Sequence, residues 1–146
     1  MKENYEMSLY AVIDTNVIVS ALLTKNHNSA TVQVIEAVFL GKIIPVFHDD
    51  IINEYDEVLH RSKFHLKEET IQKVLLSIRQ FGVEFYPKST GEIFIDIDDA
   101  IFYEVAVAGE DKNTYLITGN KKHYPVRNFV VSPAEMINII KINNLR

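Results

Sequence analysis

Four separated places in this chain put carboxylates or amides beside runs of regular structure. Asp14 follows directly on the apolar stretch LYAVI at Leu9–Ile13, with Thr15 and Asn16 behind it. Glu54 and Glu57 lie on one helical stretch, Asp98-Asp99 opens another, and Thr118-Gly119-Asn120 ends the apolar stretch that starts at Tyr115. Carboxylates gathered in one place repel each other and lose hydration unless a cation sits among them. Mg²⁺ takes oxygen ligands and keeps several waters, so roughly two to four carboxylates suffice to hold it. An ion held in this way polarises a phosphodiester, activates water and stabilises the departing oxygen. No covalent intermediate is needed.

These groups act together only if the fold brings them to one place. The apolar run Leu9–Ile13 is continuous rather than alternating, which predicts a strand buried on both faces. A helix is expected over Thr15–Leu23, then a polar loop at 25–29 and a helix over 30–40 capped by Ser29, with Gly41 as its stop. Ile43–Phe47 reads as a second strand whose Pro45 suggests an edge or a bulge. A helix from His48 to about residue 61, another over 70–81 with an earlier start, and short strands at 83–86, 115–118 and 129–131 follow. The stretch 88–95 reads as a loop with partial strand character. Asp98 or Asp99 caps a helix running to Ala108, and Ser132-Pro133 opens the last helix, which runs to about residue 142. Alternation of strands and helices predicts an α/β fold: a central, mostly parallel sheet of five strands covered on both faces. In open sheets of this kind ligands bind beyond the carboxyl ends of the strands. Those ends are where the four places fall.

Composition narrows the function classes. The chain has 146 residues, 47% of them hydrophobic, with no internal repeat or linker, so one folded domain is expected over 9–146 after a flexible lead-in at 1–8. With Met7 close behind Met1, either can be the start. Cysteine is absent, which excludes disulfides, thiolate zinc sites and a cysteine nucleophile. No apolar run reaches the roughly 20 residues of a membrane span, and there is no signal-peptide pattern, so a cytoplasmic protein is expected. The net charge is −5, so broad phosphate contacts are not expected and nucleic acid would be met through a local basic patch or bound cations.

The choice among acidic residues follows from helical geometry. Ile51, Ile52, Tyr55, Val58 and Leu59 form one apolar stripe. Glu54 lies about 100° from its centre, on the border, and Glu57 about 160° away on the solvent side. A ligand belongs at the border, so Glu54 is the candidate and Glu57 a surface residue. His48, His60, His65 and His123 lack ligand spacing and read as surface or substrate-side groups. Lys121, Lys122, His123, Arg61, Lys63 and Arg127 read equally well as phosphate contacts and as a solubilising surface. Tyr103 and Tyr124 read as core aromatics rather than base-stacking platforms.

Taken in order, VIDTNVIVSALL at 12–23, NEYDEVLHRSKF at 53–64, DIDDAIFYEVAVAG at 96–109 and YLITGNKKHYP at 115–125 resemble the successive motifs of PIN-domain nucleases. The resemblance runs over about residues 9–140 and is greatest to the branch of toxin components of toxin–antitoxin pairs. It implies a three-layer α/β/α PIN-like fold and an endoribonuclease dependent on Mg²⁺ or Mn²⁺ that cleaves single-stranded RNA. Asp14, Glu54 and Asp99 match the family's acidic metal ligands, with Asp98 the second choice for the third position. Asn16 matches a polar residue that orients the first aspartate, and Thr118 the threonine beside the site. Asn120 stands where many members carry Asp; an amide oxygen can coordinate an ion but brings no charge, which leaves one metal or two open. A cognate antitoxin and a homodimer are the partners implied.

Two rivals come from other classes. A domain degenerate at Asn120 would bind metal, RNA or protein without turnover. A phosphatase of the haloacid dehalogenase type also places Asp after a strand, but wants a second Asp where this chain has Asn16. No glycine-rich phosphate loop is present.

Overall fold

The computed structural model describes residues 8–145. The lead-in expected at 1–8 lies, Ser8 apart, outside the described residues. Five strands and six α-helices alternate: β1 Leu9–Ile13, α1 Thr15–Leu23, α2 Ala30–Phe39, β2 Ile43–Phe47, α3 Asp49–Leu59, α4 Glu68–Phe81, β3 Val83–Glu84, α5 Ala100–Ala108, β4 Tyr115–Ile117, β5 Val130–Val131 and α6 Pro133–Asn144. The sheet order is β3-β2-β1-β4-β5 and every pairing is parallel. Helices α1, α2 and α6 pack together, α3 packs with α4 and α5, and the sheet lies between them. This is the expected three-layer α/β/α fold.

The centre of the sheet is dry for the reason its sequence suggests. Ala11, Val12 and Ile13 on β1 and Leu116 and Ile117 on β4 are fully buried, as apolar side chains on both faces of a parallel strand must be. From β1 the chain winds outward to β2 and β3, then crosses back and continues through β4 to β5 on the other side. The chain therefore leaves β1 and β4 in opposite directions at their carboxyl ends, just beyond the paired Ile13 and Ile117, the place where open parallel sheets take their ligands.

Helix starts follow local chemistry. The Ser29 hydroxyl accepts from the Val32 amide, and Ser132 and Glu135 form a reciprocal capping box ahead of Pro133. Gly41 ends the α2 region at φ +74°, a conformation that favours glycine.

Several expectations are corrected. β2 is not an edge strand, because β3 pairs beside it; Pro45 falls just before that ladder begins at Val46 and Val83, so its missing N–H costs no bond there. β3 and β5 are each two residues long, since only those residues have a neighbour in register. Helix α3 ends at Leu59 rather than near residue 61, and a 3₁₀ turn at Ser62–Phe64 follows. A second 3₁₀ turn, Ile97–Asp99, leads into α5. Asp96 caps this turn by accepting from the Asp98 amide at 3.0 Å, so neither Asp98 nor Asp99 spends its carboxylate on a cap.

Candidate metal centre

Asp14 stands at the paired carboxyl ends of β1 and β4. Its amide donates to the Ile117 carbonyl at 2.9 Å, which carries the ladder one residue past the strand and turns the side chain inward to 6% exposure. One carboxylate oxygen, Oδ2, accepts from the Thr118 hydroxyl at 2.8 Å and from the Tyr124 hydroxyl at 2.9 Å. Burial pushes the Asp14 carboxyl above its ordinary value, and these bonds pull against that rise. Tyr55 on α3 donates to the Ile13 carbonyl at 2.5 Å and so pins the strand end. The Tyr55 and Tyr124 phenols are both pushed far up, first by burial and then by Asp14, so both remain donors.

The turn after β4 is tied to the turn after β1. The Gly119 amide donates to Asn16 Oδ1 at 3.1 Å, and the Asn120 amide donates to Thr118 Oγ1 at 3.0 Å. The Asn16 side chain thus joins the two turns, and the backbone amides of Thr15 and Asn16 bond to the Asp14 carboxyl. A Cβ at Gly119 would stand 3.3 Å from Asn16 Oδ1, so a larger residue there would press on this junction. Asn120 itself is exposed on the rim.

Asp99, just ahead of α5, lies near enough to Asp14 to feel its charge. Its carboxyl is pushed up to about 6, by burial first and then by the charges of Asp14 and Asp96, with His123 opposing. The His123 imidazole stands 3.6 Å from Asp99 Oδ2. That oxygen is buried and accepts no hydrogen bond.

Glu54 belongs to a neighbouring pair. It is half-buried on the border of α3, while Ile51, Ile52, Tyr55 and Leu59 are buried and Glu57 is exposed beside Arg61. Its carboxyl is pushed up by burial, then by Asp98 and Glu57. Glu54, Glu57, Asp98, Asp50 and Asn53 line a shallow depression of about 300 Å³, Glu57 at its exposed side. The adjacent aspartates therefore differ in surroundings: Asp99 feels the charge of Asp14, while Asp98 lines the depression with Glu54 and raises its carboxyl. Among the described residues, no three acidic or histidine side chains stand close enough to hold one ion together.

The inner pair fits a hard divalent cation. Two carboxylates have raised affinity for protons, Asp99 feels the charge of Asp14, and one buried oxygen has no donor. An ion of the Mg²⁺ kind needs only one or two carboxylates when water and substrate oxygens complete its shell.

Tyr124 is the residue that sequence reasoning missed. It is buried, as a core aromatic should be, but its hydroxyl ends on Asp14. A tyrosine six residues past Thr118 has no helical or strand periodicity to mark it. Tyr103 is core, with its hydroxyl on Glu92 at 3.0 Å. Most of the basic side chains are engaged locally: Lys121 with Glu135 at 2.9 Å, Arg127 with Glu92 at 3.1 Å, and Lys63 over the Phe64 ring.

An uncharacterized protein of Methanocaldococcus jannaschii is 26% identical over 148 aligned positions, which cover 99% of this chain and 88% of that protein. No helix among the described residues is long and apolar enough to cross a membrane. The PIN-domain family model matches residues 10–122, from β1 through the turn that follows β4 and so across all four acidic or amide-bearing places. The chain therefore belongs to the PIN-domain family, whose members are generally nucleases.

Proposed function

We propose that this PIN domain is a Mg²⁺- or Mn²⁺-dependent endoribonuclease that cleaves single-stranded RNA. The observation that carries the reading is that Asp99 feels the charge of the buried Asp14 carboxylate, while its own buried Oδ2 accepts no hydrogen bond and has only the His123 imidazole near it at 3.6 Å. Two like charges near each other are costly by themselves and become favourable around a cation. When bound, the cation supplies charge neutralisation at the scissile phosphate and acidifies water. Asp14 and Asp99 hold it; Thr118 and Tyr124 keep Asp14 in orientation. Glu54, on the rim with a raised proton affinity, orients the attacking water and takes its proton, or helps to hold a second ion. Asn120 offers a neutral oxygen at the same rim. Exposed Lys122, two residues after Asn120, can meet the phosphate backbone. An unpaired backbone can bend into so narrow an acidic rim, which favours single strands.

The motif resemblance extends the proposal to context: a toxin component acting in the cytoplasm, held by a cognate antitoxin and able to form a homodimer. The experiment is incubation of single-stranded RNA with Mn²⁺ and either the native chain or Asp14→Asn. Cleavage by the native chain alone is expected; equal cleavage by both would reject the proposal.

A second reading has an observation of its own. Glu54 stands with Asp98 instead of completing a three-acid group, and Asn120 brings no charge. A domain that binds a cation and RNA without turnover would use the same inner pair. Saturable Mn²⁺ binding with no RNA cleavage would select it.

A further inference from the structure

The Tyr124 hydroxyl has no role in the acidic motifs, yet it sits in a buried polar cluster with Asp14 and Thr118. We infer that Tyr124 is a positioning residue: together with Thr118 it occupies Asp14 Oδ2, so that Oδ1 is the oxygen turned toward the cation. This inference rests on the proposal that Asp14 holds a cation.

The local chain explains how the ring arrives there. The turn Lys121–His123 is 3₁₀, closed by the Tyr124 amide donating to the Lys121 carbonyl at 3.1 Å. Pro125 follows, and a residue before proline is held to extended backbone. Tyr124 is extended accordingly, at φ −117° and ψ 157°. The ring is directed under the turn, 5% exposed, with Phe94 edge-on at 6.3 Å between centroids. Packing thus fixes the ring and the hydroxyl at its tip.

Hydrogen-bond accounting then assigns the direction of each bond. The Asn120 amide donates to Thr118 Oγ1, so the one proton of that hydroxyl goes to Asp14 Oδ2. The phenol donates to the same oxygen. Two hydroxyl donors use both lone-pair directions of Oδ2 and, with the weaker backbone bonds from Thr15 and Asn16, lock the carboxylate plane. A buried carboxylate with one donor fewer would rotate or lose part of its compensation for burial. Donors behind a metal ligand typically change metal affinity by about 10–100-fold when removed.

The test measures Mn²⁺ binding by calorimetry for the native chain, Tyr124→Phe, Phe94→Leu and Asp14→Asn, with a metal-free thermal melt of each. Tyr124→Phe keeps the ring and its packing. Its Mn²⁺ dissociation constant should rise at least about tenfold. The Mn²⁺ concentration for half-maximal RNA cleavage should rise in parallel, with KM for RNA unchanged. Phe94→Leu removes ring packing without touching a hydroxyl; it should lower the melting temperature and leave Mn²⁺ affinity near native. If Tyr124→Phe binds Mn²⁺ like the native chain while Asp14→Asn does not bind, the positioning role is wrong and the metal site stands. If Phe94→Leu loses as much affinity as Tyr124→Phe, packing rather than the hydroxyl is responsible and the inference is overturned. If Asp14→Asn binds as the native chain does, the metal site itself is wrong and this inference goes with it.

Discussion

The Thr118 hydroxyl donates to Asp14 Oδ2 across 2.8 Å, although the two residues are 104 positions apart in the chain. Parallel pairing of β1 with β4 brings the two strand ends level, so the residue after Ile13 meets the residue after Ile117. Thr118→Val keeps shape and removes the donor. A buried acceptor left short of a partner costs about 1–3 kcal/mol, so a lower denaturant midpoint with unchanged m-value is expected. Cleavage should fall as well, because Asp14 loses one of its two hydroxyl anchors. A midpoint equal to that of the native chain would show that the bond carries no stability.

Asp14→Asn separates stability from function. The carboxylate is buried and its proton affinity is raised, so the fold bears a cost for its charge. An amide of the same shape removes that cost while losing one acceptor for two donors. The metal-free variant should melt no lower than about 1 kcal/mol below the native chain, and Mn²⁺ should no longer raise its melting temperature. Stabilisation of the variant by Mn²⁺ as large as in the native chain would place the ion elsewhere.

The pH dependence of stability follows from Asp99. Its carboxyl is pushed from an ordinary 3.8 up to about 6 in the folded chain. Over that interval the folded chain keeps a proton that the unfolded chain has released. Metal-free stability from this group is therefore full below the lower value, declines as pH rises through the folded value, and levels off above it. Melting curves across pH 4 to 7 (roughly the interval set by the two values) should show a decline that is smaller in Asp99→Asn. Mn²⁺ should act in the opposite sense, stabilising more at neutral than at acidic pH, because it needs the deprotonated carboxylates. An identical pH profile in the native chain and Asp99→Asn would contradict the assignment.

Glu54 and Glu57 make a matched pair three residues apart on α3. Glu54 stands against Asp98 at the half-buried border, while Glu57 faces solvent beside Arg61 at 4.0 Å. Glu54→Gln should lower kcat of RNA cleavage by about 10²-fold or more, the range of a positioned acid–base group, with a smaller effect on the first Mn²⁺ ion. Glu57→Gln should leave both near native, since an exposed pair contributes about 0–1 kcal/mol. The same loss of kcat in both would mean that net charge at the rim matters, not the position of Glu54.

Much of this was legible in the residues. LYAVI reads as a doubly buried strand because it is apolar throughout, and Asp14 marks its end. Ser29 and Ser132-Pro133 announce their helices by capping chemistry, and the apolar stripe of α3 separates Glu54 from Glu57. These are local properties, set by periodicity and by hydrogen bonds a few residues long. Sequence could not say that Asp99 feels the charge of Asp14 while Asp98 lines a depression with Glu54, that Asn16 reaches Gly119, or that Tyr124 ends on Asp14 Oδ2. Neighbouring aspartates look alike along the chain, and a buried tyrosine looks like core. Their roles depend on which strand ends meet across the sheet and on where burial leaves a carboxylate with too few donors, and those are properties of the packed chain.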